Sequence, residues 1–190
     1  MPLNHSSGYA QLTDAQFTII GKIAVEWSNI ESLMKMLLSR LLLTPEYLSR
    51  TYSDCINAAK VQDAIDEAVQ LHKRRYRFKI IEEETLERIS TANKQITRLR
   101  SERNKFAHFC WCRRSDEEIF GTSFCAGMPG SKKHERGTVV MTVGQLDDLH
   151  RRTYAMADEL ISILATVPEI SEDACLTLIR PRSVKGKNRP

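Results

Sequence analysis

Seven side chains, Ile20, Ala24, Trp27, Glu31, Met34, Leu38 and Leu41, recur at steps of three and four. That spacing lines one face of an α-helix. Nothing else in the chain restricts its fold as much. The stripe predicts a helix over residues 14–43 whose one long side must be covered by other helices. Thr13 and Gln16 ahead of it form a capping-box pair, with Leu12 and Phe17 at staple spacing. Thr44-Pro45 reads as a stop and a restart, with Thr44 as N-cap and Pro45 at the first position of a short helix through Arg50. Ser53 and Asp54 are placed to cap a third helix with Ala58, Val61, Ile65, Ala68, Val69 and His72 on its stripe. A fourth helix is expected from Glu82, where Glu82, Glu83 and Glu84 suit the positive end of a helix dipole. Its stripe is Leu86, Ile89, Asn93, Ile96, Leu99, Arg103, Phe106 and Cys110, with Asn93 and Arg103 as polar members. A last long helix starts at a second capping box, Thr142 to Gln145, and carries Leu146, Leu149, Thr153, Met156, Leu160 and Ile163, with Pro168 as its stop.

From Trp111 to Val143 the helical period fails. Phe120, Thr122, Phe124 and Ala126 alternate, as do Val139, Met141 and Val143, which predicts two short strands around a mobile basic loop, Gly127–Gly137. The expected architecture is an all-α antiparallel helical bundle with a short β-hairpin, about residues 112–143, inserted before the last long helix. The helical domain is expected over 13–168, after a flexible N-terminus at 1–12. A short apolar helix and a basic tail, RPRSVKGKNRP, are expected within 169–190. The 190 residues suit one domain. No run of about 18 apolar residues exists, so no membrane partner is expected. The start MPLNHSSGYA lacks the basic and apolar stretches of a secretory signal. Five cysteines, an odd number, then read as reduced thiols in a cytoplasmic setting. Cys110 and Cys112 flank Trp111 at a spacing poor for tetrahedral zinc, and Cys110 is expected as a buried thiol on the fourth stripe. No metal or cofactor site is expected. The balance of 28 basic against 24 acidic residues permits a nucleic-acid partner without demanding one.

The informative segment is Leu99-Arg-Ser-Glu-Arg-Asn-Lys-Phe-Ala-His-Phe-Cys-Trp111. Arg103 and His108 have four residues between them, and polar Asn104 follows the arginine directly. No other arginine in the chain has a histidine five to seven positions later. This resembles the R-x(4–6)-H signature of HEPN domains, in the RN-x-x-AH-x-x-W form common in bacterial members. Trp27-Ser-Asn-Ile-Glu31 ahead of a leucine-rich run, and the order of helices with an irregular insert before the last, are also similar to theirs. The resemblance covers about residues 14–166. It implies an all-helical domain, usually a homodimer, often a metal-independent endoribonuclease serving as a toxin or in defence against phage. It also implies that arginine and histidine from two protomers converge on one RNA-cleaving site.

Helix geometry agrees that two copies are required. Residues five apart differ by about 140° in direction, so Arg103 and His108 do not share a face, whereas Asn104 and His108, four apart, do. A two-fold axis beside the helix end would pool both pairs. In that mechanism His108 removes the 2′-hydroxyl proton or protonates the leaving 5′-oxygen, roles suited to an imidazole whose unperturbed pKa is near 6.5. Arg103 binds the scissile phosphate and stabilises its added negative charge. Asn104 orients the phosphate or His108, and the products are a 2′,3′-cyclic phosphate and a 5′-hydroxyl. A second reading stays open: Arg103 and Glu31 each interrupt an apolar stripe, and they could pair across the bundle as a structural ion pair. Glu31 is thus a candidate for site or core. The chain would then be a HEPN-like dimer that holds nucleotide, RNA or protein without cleaving it.

The segment His72-Lys-Arg-Arg-Tyr-Arg-Phe-Lys79 interleaves Lys73, Arg74, Arg75, Arg77 and Lys79 with Tyr76 and Phe78. Cations neutralise phosphates and rings stack on unpaired bases, so these five, with Arg100 and Lys105 beside the motif, are candidate RNA contacts. The alternative is a solvated helix end with its rings packed inward. An antitoxin, a cognate RNA or a defence-system protein is a further candidate partner.

Overall fold

The first helix, α1 (Asp14–Leu41), is the axis of the molecule. Its Trp27, Ile30, Met34, Leu37, Leu38 and Leu41 are all but completely buried. The structure is a computed structural model that describes residues 10–76, 78–123 and 138–173, with His108 and Ser123 described by their backbone only. After α1 come α2 (Glu46–Ser53), α3 (Ala58–Arg74), α4 (Glu83–His108), β1 (Phe109–Arg113), β2 (Glu118–Ser123), β3 (Thr138–Thr142) and α5 (Val143–Leu164). The fold is mostly helical, with one small antiparallel sheet in the order β1-β2-β3.

Cross-links set the helix directions. Arg40, in the last turn of α1, donates to Leu164 O (2.5 Å) and Val167 O (3.2 Å) and pairs with Glu169 (2.9 Å). The C-terminal ends of α1 and α5 therefore lie together and the two helices run parallel. Arg88, early in α4, reaches Glu159 (3.0 Å), late in α5, while Glu102, late in α4, meets Arg152 (2.9 Å), near the middle of α5. The fourth helix is thus antiparallel to α5 and, because α1 and α5 run parallel, to α1 as well, with Arg103 against Trp27. The polar stripe member Asn93 is explained by α3: its Nδ2 donates to Gln62 O (3.0 Å), and Gln62 Nε2 donates back to Asn93 O (3.0 Å) and Thr97 Oγ1 (3.1 Å). These bonds between buried amides hold α3 on α4 at one register, although Gln62 Oε1 itself finds no partner among the described residues.

Both capping boxes form, at Thr13–Gln16 and Thr142–Gln145. Gln16 does more than cap. Fully buried, it also donates to Ser115 O (2.9 Å) and Asp116 O (3.1 Å), binding the start of α1 to the β1–β2 turn. Other ends differ from expectation. Thr44 does not cap α2: its hydroxyl turns back to Ser39 O (3.3 Å) while Ser39 Oγ donates to Thr44 O (3.0 Å), and Pro45 occupies the cap position. Those bonds complete a turn in which Thr44 N–H reaches Ser39 O and Leu43 N–H reaches Arg40 O, with Leu43 in the left-handed region (φ 53°). The cap of α3 is Asn57, not Ser53 or Asp54, because Ser53 ends α2 and Asp54 pairs with Lys35 (2.7 Å). The last helix closes at Leu164, before Pro168. The expected loop Gly127–Gly137, the apolar piece from Ala174 and the basic tail lie outside the described residues.

Among the described residues the insert has three strands rather than the two expected. The missed strand, β1, leaves α4 without a loop, so Cys110 is not on the helix stripe at all and its thiol is exposed rather than buried. The cause is local. Phe109-Cys-Trp-Cys is a run of aromatic and thiol side chains that fits a pleated surface, and Trp111 has a partner on each side. Its ring stacks on Phe106 of α4 with centroids 4.9 Å apart, and its indole N–H donates to Phe106 O (3.4 Å). Across the ladder it lies directly over Gly121. A Cβ at position 121 would sit 2.7 Å from the indole. Gly121→Ala is expected to destabilise the fold by about 1–3 kcal/mol through overpacking, which urea unfolding would measure; unchanged stability would mean that the indole is free to move away.

Candidate active site at the end of α4

A buried indole needs an acceptor for its N–H. Trp27 is 1% exposed, and its Nε1 donates to Glu31 Oε1 one turn further along α1 (2.5 Å). The same carboxylate oxygen lies 4.0 Å from Arg103 Nη2, and the guanidinium carbon stands 5.6 Å from the Trp27 ring centroid. Arg103 Nη1 also donates to Asn104 Oδ1 (3.4 Å). Glu31, Trp27, Arg103 and Asn104 thus form one cluster across α1 and α4. Its ion pair is not a core pair: 35% of the Arg103 side chain and 37% of the Glu31 side chain are exposed. The guanidinium is held on a ring, a carboxylate and an amide, yet keeps a face to solvent. Such a group is oriented without being consumed by its partners, as an anion-binding arginine must be.

Helix rows place the other motif residues. Arg100, Asn104 and the His108 backbone position follow one another at steps of four, along one row of α4, and Arg103 stands beside that row. Position 107, one turn after Arg103, is an alanine, whose side chain is no more than a methyl group. His108 closes α4 and leads into β1; its imidazole lies outside the described side chains. Phe109 follows, its ring stacked towards Trp111 at 6.0 Å.

The basic segment is elsewhere. Lys73 and Arg74 end α3, Arg75 caps it, and Lys79 pairs with Glu83 (3.6 Å) at the start of α4. From Glu83 to Arg103 is about 30 Å along the helix, so within one chain these cations do not meet the motif. Arg77 lies outside the described residues. The rings of the segment divide: Tyr76 packs edge-on against buried His72, which bonds Leu41 O (2.7 Å), whereas Phe78 is 81% exposed. The alternative in which both rings pack inward does not hold for Phe78. Lys105 faces away from Arg103, into an open groove of about 550 Å³ lined also by Glu102, Phe106, Met141, Gln145 and Arg152. This groove lies where α4 meets β3 and α5, and its lining includes none of Trp27, Glu31, Arg103 and Asn104. Within it Arg152 grips Glu102 through two contacts (3.0 and 2.9 Å), and this bond holds the Glu102 carboxyl below its ordinary range against the opposing effect of burial. Sequence reading missed this pair, because residues 50 apart carry no spacing signal.

No cluster of three or more potential metal ligands occurs among the described residues, and none of their helices is long and apolar enough to cross a membrane. No family model, no curated protein and no solved structure matches the chain.

Two measurements follow from these geometries. Because the Glu31–Arg103 pair is about one third exposed, a double-mutant cycle with Glu31→Gln and Arg103→Met is expected to give a coupling of at most about 1 kcal/mol; a coupling of about 3 kcal/mol or more would mark a buried structural pair instead. For Glu102 the folded-state pKa is lowered from 4.5, so its contribution is present above that pH and is lost as pH falls below it. Glu102→Gln should therefore flatten the acid side of the stability profile and leave the neutral side parallel to the wild type.

Proposed function

We propose that this protein is a metal-independent endoribonuclease of the HEPN type, acting as a homodimer. One observation carries the reading: Arg103 is fixed by Trp27, Glu31 and Asn104 yet keeps an open face at the end of α4. A purely structural arginine at that point of an apolar stripe would be expected to be buried against its partner. Here the guanidinium is oriented and available, the arrangement needed to bind a scissile phosphate and stabilise the charge that builds on it.

His108, five residues on, supplies the proton transfers in this reading. One histidine takes the 2′-hydroxyl proton and another gives a proton to the departing 5′-oxygen, which leaves a 2′,3′-cyclic phosphate. A second copy is needed because Arg103 and position 108 point about 140° apart on one helix. The biological role that fits is a toxin or antiphage effector in the cytoplasm, held in check by an antitoxin, a cognate RNA or a defence-system partner. A non-catalytic HEPN-like binder of nucleotide, RNA or protein is the second reading, favoured by the carboxylate that already faces Arg103.

The test is cleavage of RNA in EDTA with wild type, Arg103→Ala and His108→Ala, alongside sedimentation and melting. Expected are a dimer, 2′,3′-cyclic ends, rate losses of about 100-fold or more in each variant, and a stability loss near 1 kcal/mol for Arg103→Ala. Equal activity in all three proteins would remove both residues from the mechanism. RNA binding without cleavage in the wild type would select the second reading.

A further inference from the structure

The arginines packed against neighbouring helices have their partners, with one exception. Arg40 bonds two carbonyls and Glu169, Arg88 bonds Glu159 and Ser162, Arg103 bonds Asn104 and faces Glu31, and Arg152 bonds Glu102 and Asp148. Arg100 is half-buried, its Nη1 is wholly withdrawn from solvent, and no hydrogen-bond partner or carboxylate meets its guanidinium among the described residues. A desolvated donor on a permanent cation, left unpaired, is among the more costly things a fold can retain. Its position makes an anion the natural partner. Arg100 precedes Arg103 by three residues and Asn104 by four, so all three lie on one face of α4, with about 5–6 Å between neighbouring Cβ atoms. Glu31 offsets the charge of Arg103; nothing among the described residues offsets Arg100.

We propose that Arg100 binds the phosphate next to the scissile one, so that the site takes oligonucleotides with at least two phosphodiesters and acts poorly on a dinucleoside monophosphate. This rests on the ribonuclease reading. Arg103 serves the reacting phosphate and Arg100 its neighbour. Arg100 is thus a substrate-binding residue whose interaction is the same in ground state and transition state. Its loss should raise KM and leave kcat alone.

The experiment uses the full chain, in EDTA, on a short single-stranded RNA and on a dinucleoside monophosphate, with binding to a 2′-O-methyl RNA of the same length measured against salt. Arg100→Met is expected to raise KM for the longer RNA about tenfold with kcat within twofold. It should also reduce the salt slope of binding by about 0.7, the share of one phosphate contact on a single strand. The preference for the longer substrate should shrink correspondingly. Arg100→Lys, which keeps the charge, should retain most of the slope and of the preference; a lysine variant as defective as the methionine one overturns the proposal, and it decides the matter if Arg100→Met unfolds. An active wild type whose KM, slope and length preference are unmoved in a folded Arg100→Met also overturns it, and leaves the nuclease reading standing. A wild type that neither cleaves nor binds RNA overturns both.

Discussion

The indole N–H of Trp27 is the constraint from which the end of α4 follows. A tryptophan this deeply buried cannot leave its donor unsatisfied. The acceptor comes from its own helix, Glu31 one turn on. A carboxylate in that position is itself partly withdrawn from water and favours a nearby cation, which α4 provides in Arg103. Each requirement creates the next, and the last one fixes the register of α4 against α1. The packing of a core tryptophan thereby decides where a guanidinium stands at the surface.

The sheet adds to the helix contacts that keep that end of the helix in place. Trp111 is clamped between Phe106 and the bare backbone at Gly121, so β1 cannot slide along α4. The β1–β2 turn is fastened to α1 by Gln16, and Glu117 O accepts the N–H of Val143 at the start of α5. Three elements therefore meet around one turn, and the residue that ends α4, His108, is the one that enters the sheet. A site at a helix end is ordinarily prone to fraying; here the chain continues straight into a paired strand.

The long helices were legible in the sequence from their stripes, and α1 and α5 also from their ends. Thr13–Gln16 and Thr142–Gln145 are local patterns, and local patterns survive into the structure. The errors share a physical cause. Cys110 falls on the period of α4, yet the chain has already left the helix, because the pull of Trp111 towards Phe106 and Gly121 is a tertiary effect that no period reports. Thr44 has the chemistry of a cap, but a nearer carbonyl at Ser39 takes its hydroxyl. At the site, the motif residues and Glu31 could be named from spacing and from their intrusion into apolar stripes. That Trp27 joins Glu31 to Arg103, that Arg152 holds Glu102, and that the basic segment of α3 stands at the far end of the bundle are all matters of how helices cross.

The distribution of charge also argues for an extended ligand rather than a small one. Arg103 is matched by Glu31, so the cluster alone carries little net charge, and a mononucleotide would gain only a modest attraction over water. Arg100 adds a charge one turn away that nothing among the described residues matches, and Lys73, Arg74 and Arg75 add more at the end of α3. A flexible polyanion can gather such separated cations, each contact releasing counterions in proportion to the phosphates neutralised. Phe78, exposed beside those cations, offers a ring on which an unpaired base can stack. Cations thus stand at both ends of the bundle; on the ribonuclease reading proposed above, a strand would be held along its length and cleaved only at the end of α4, where His108 lies.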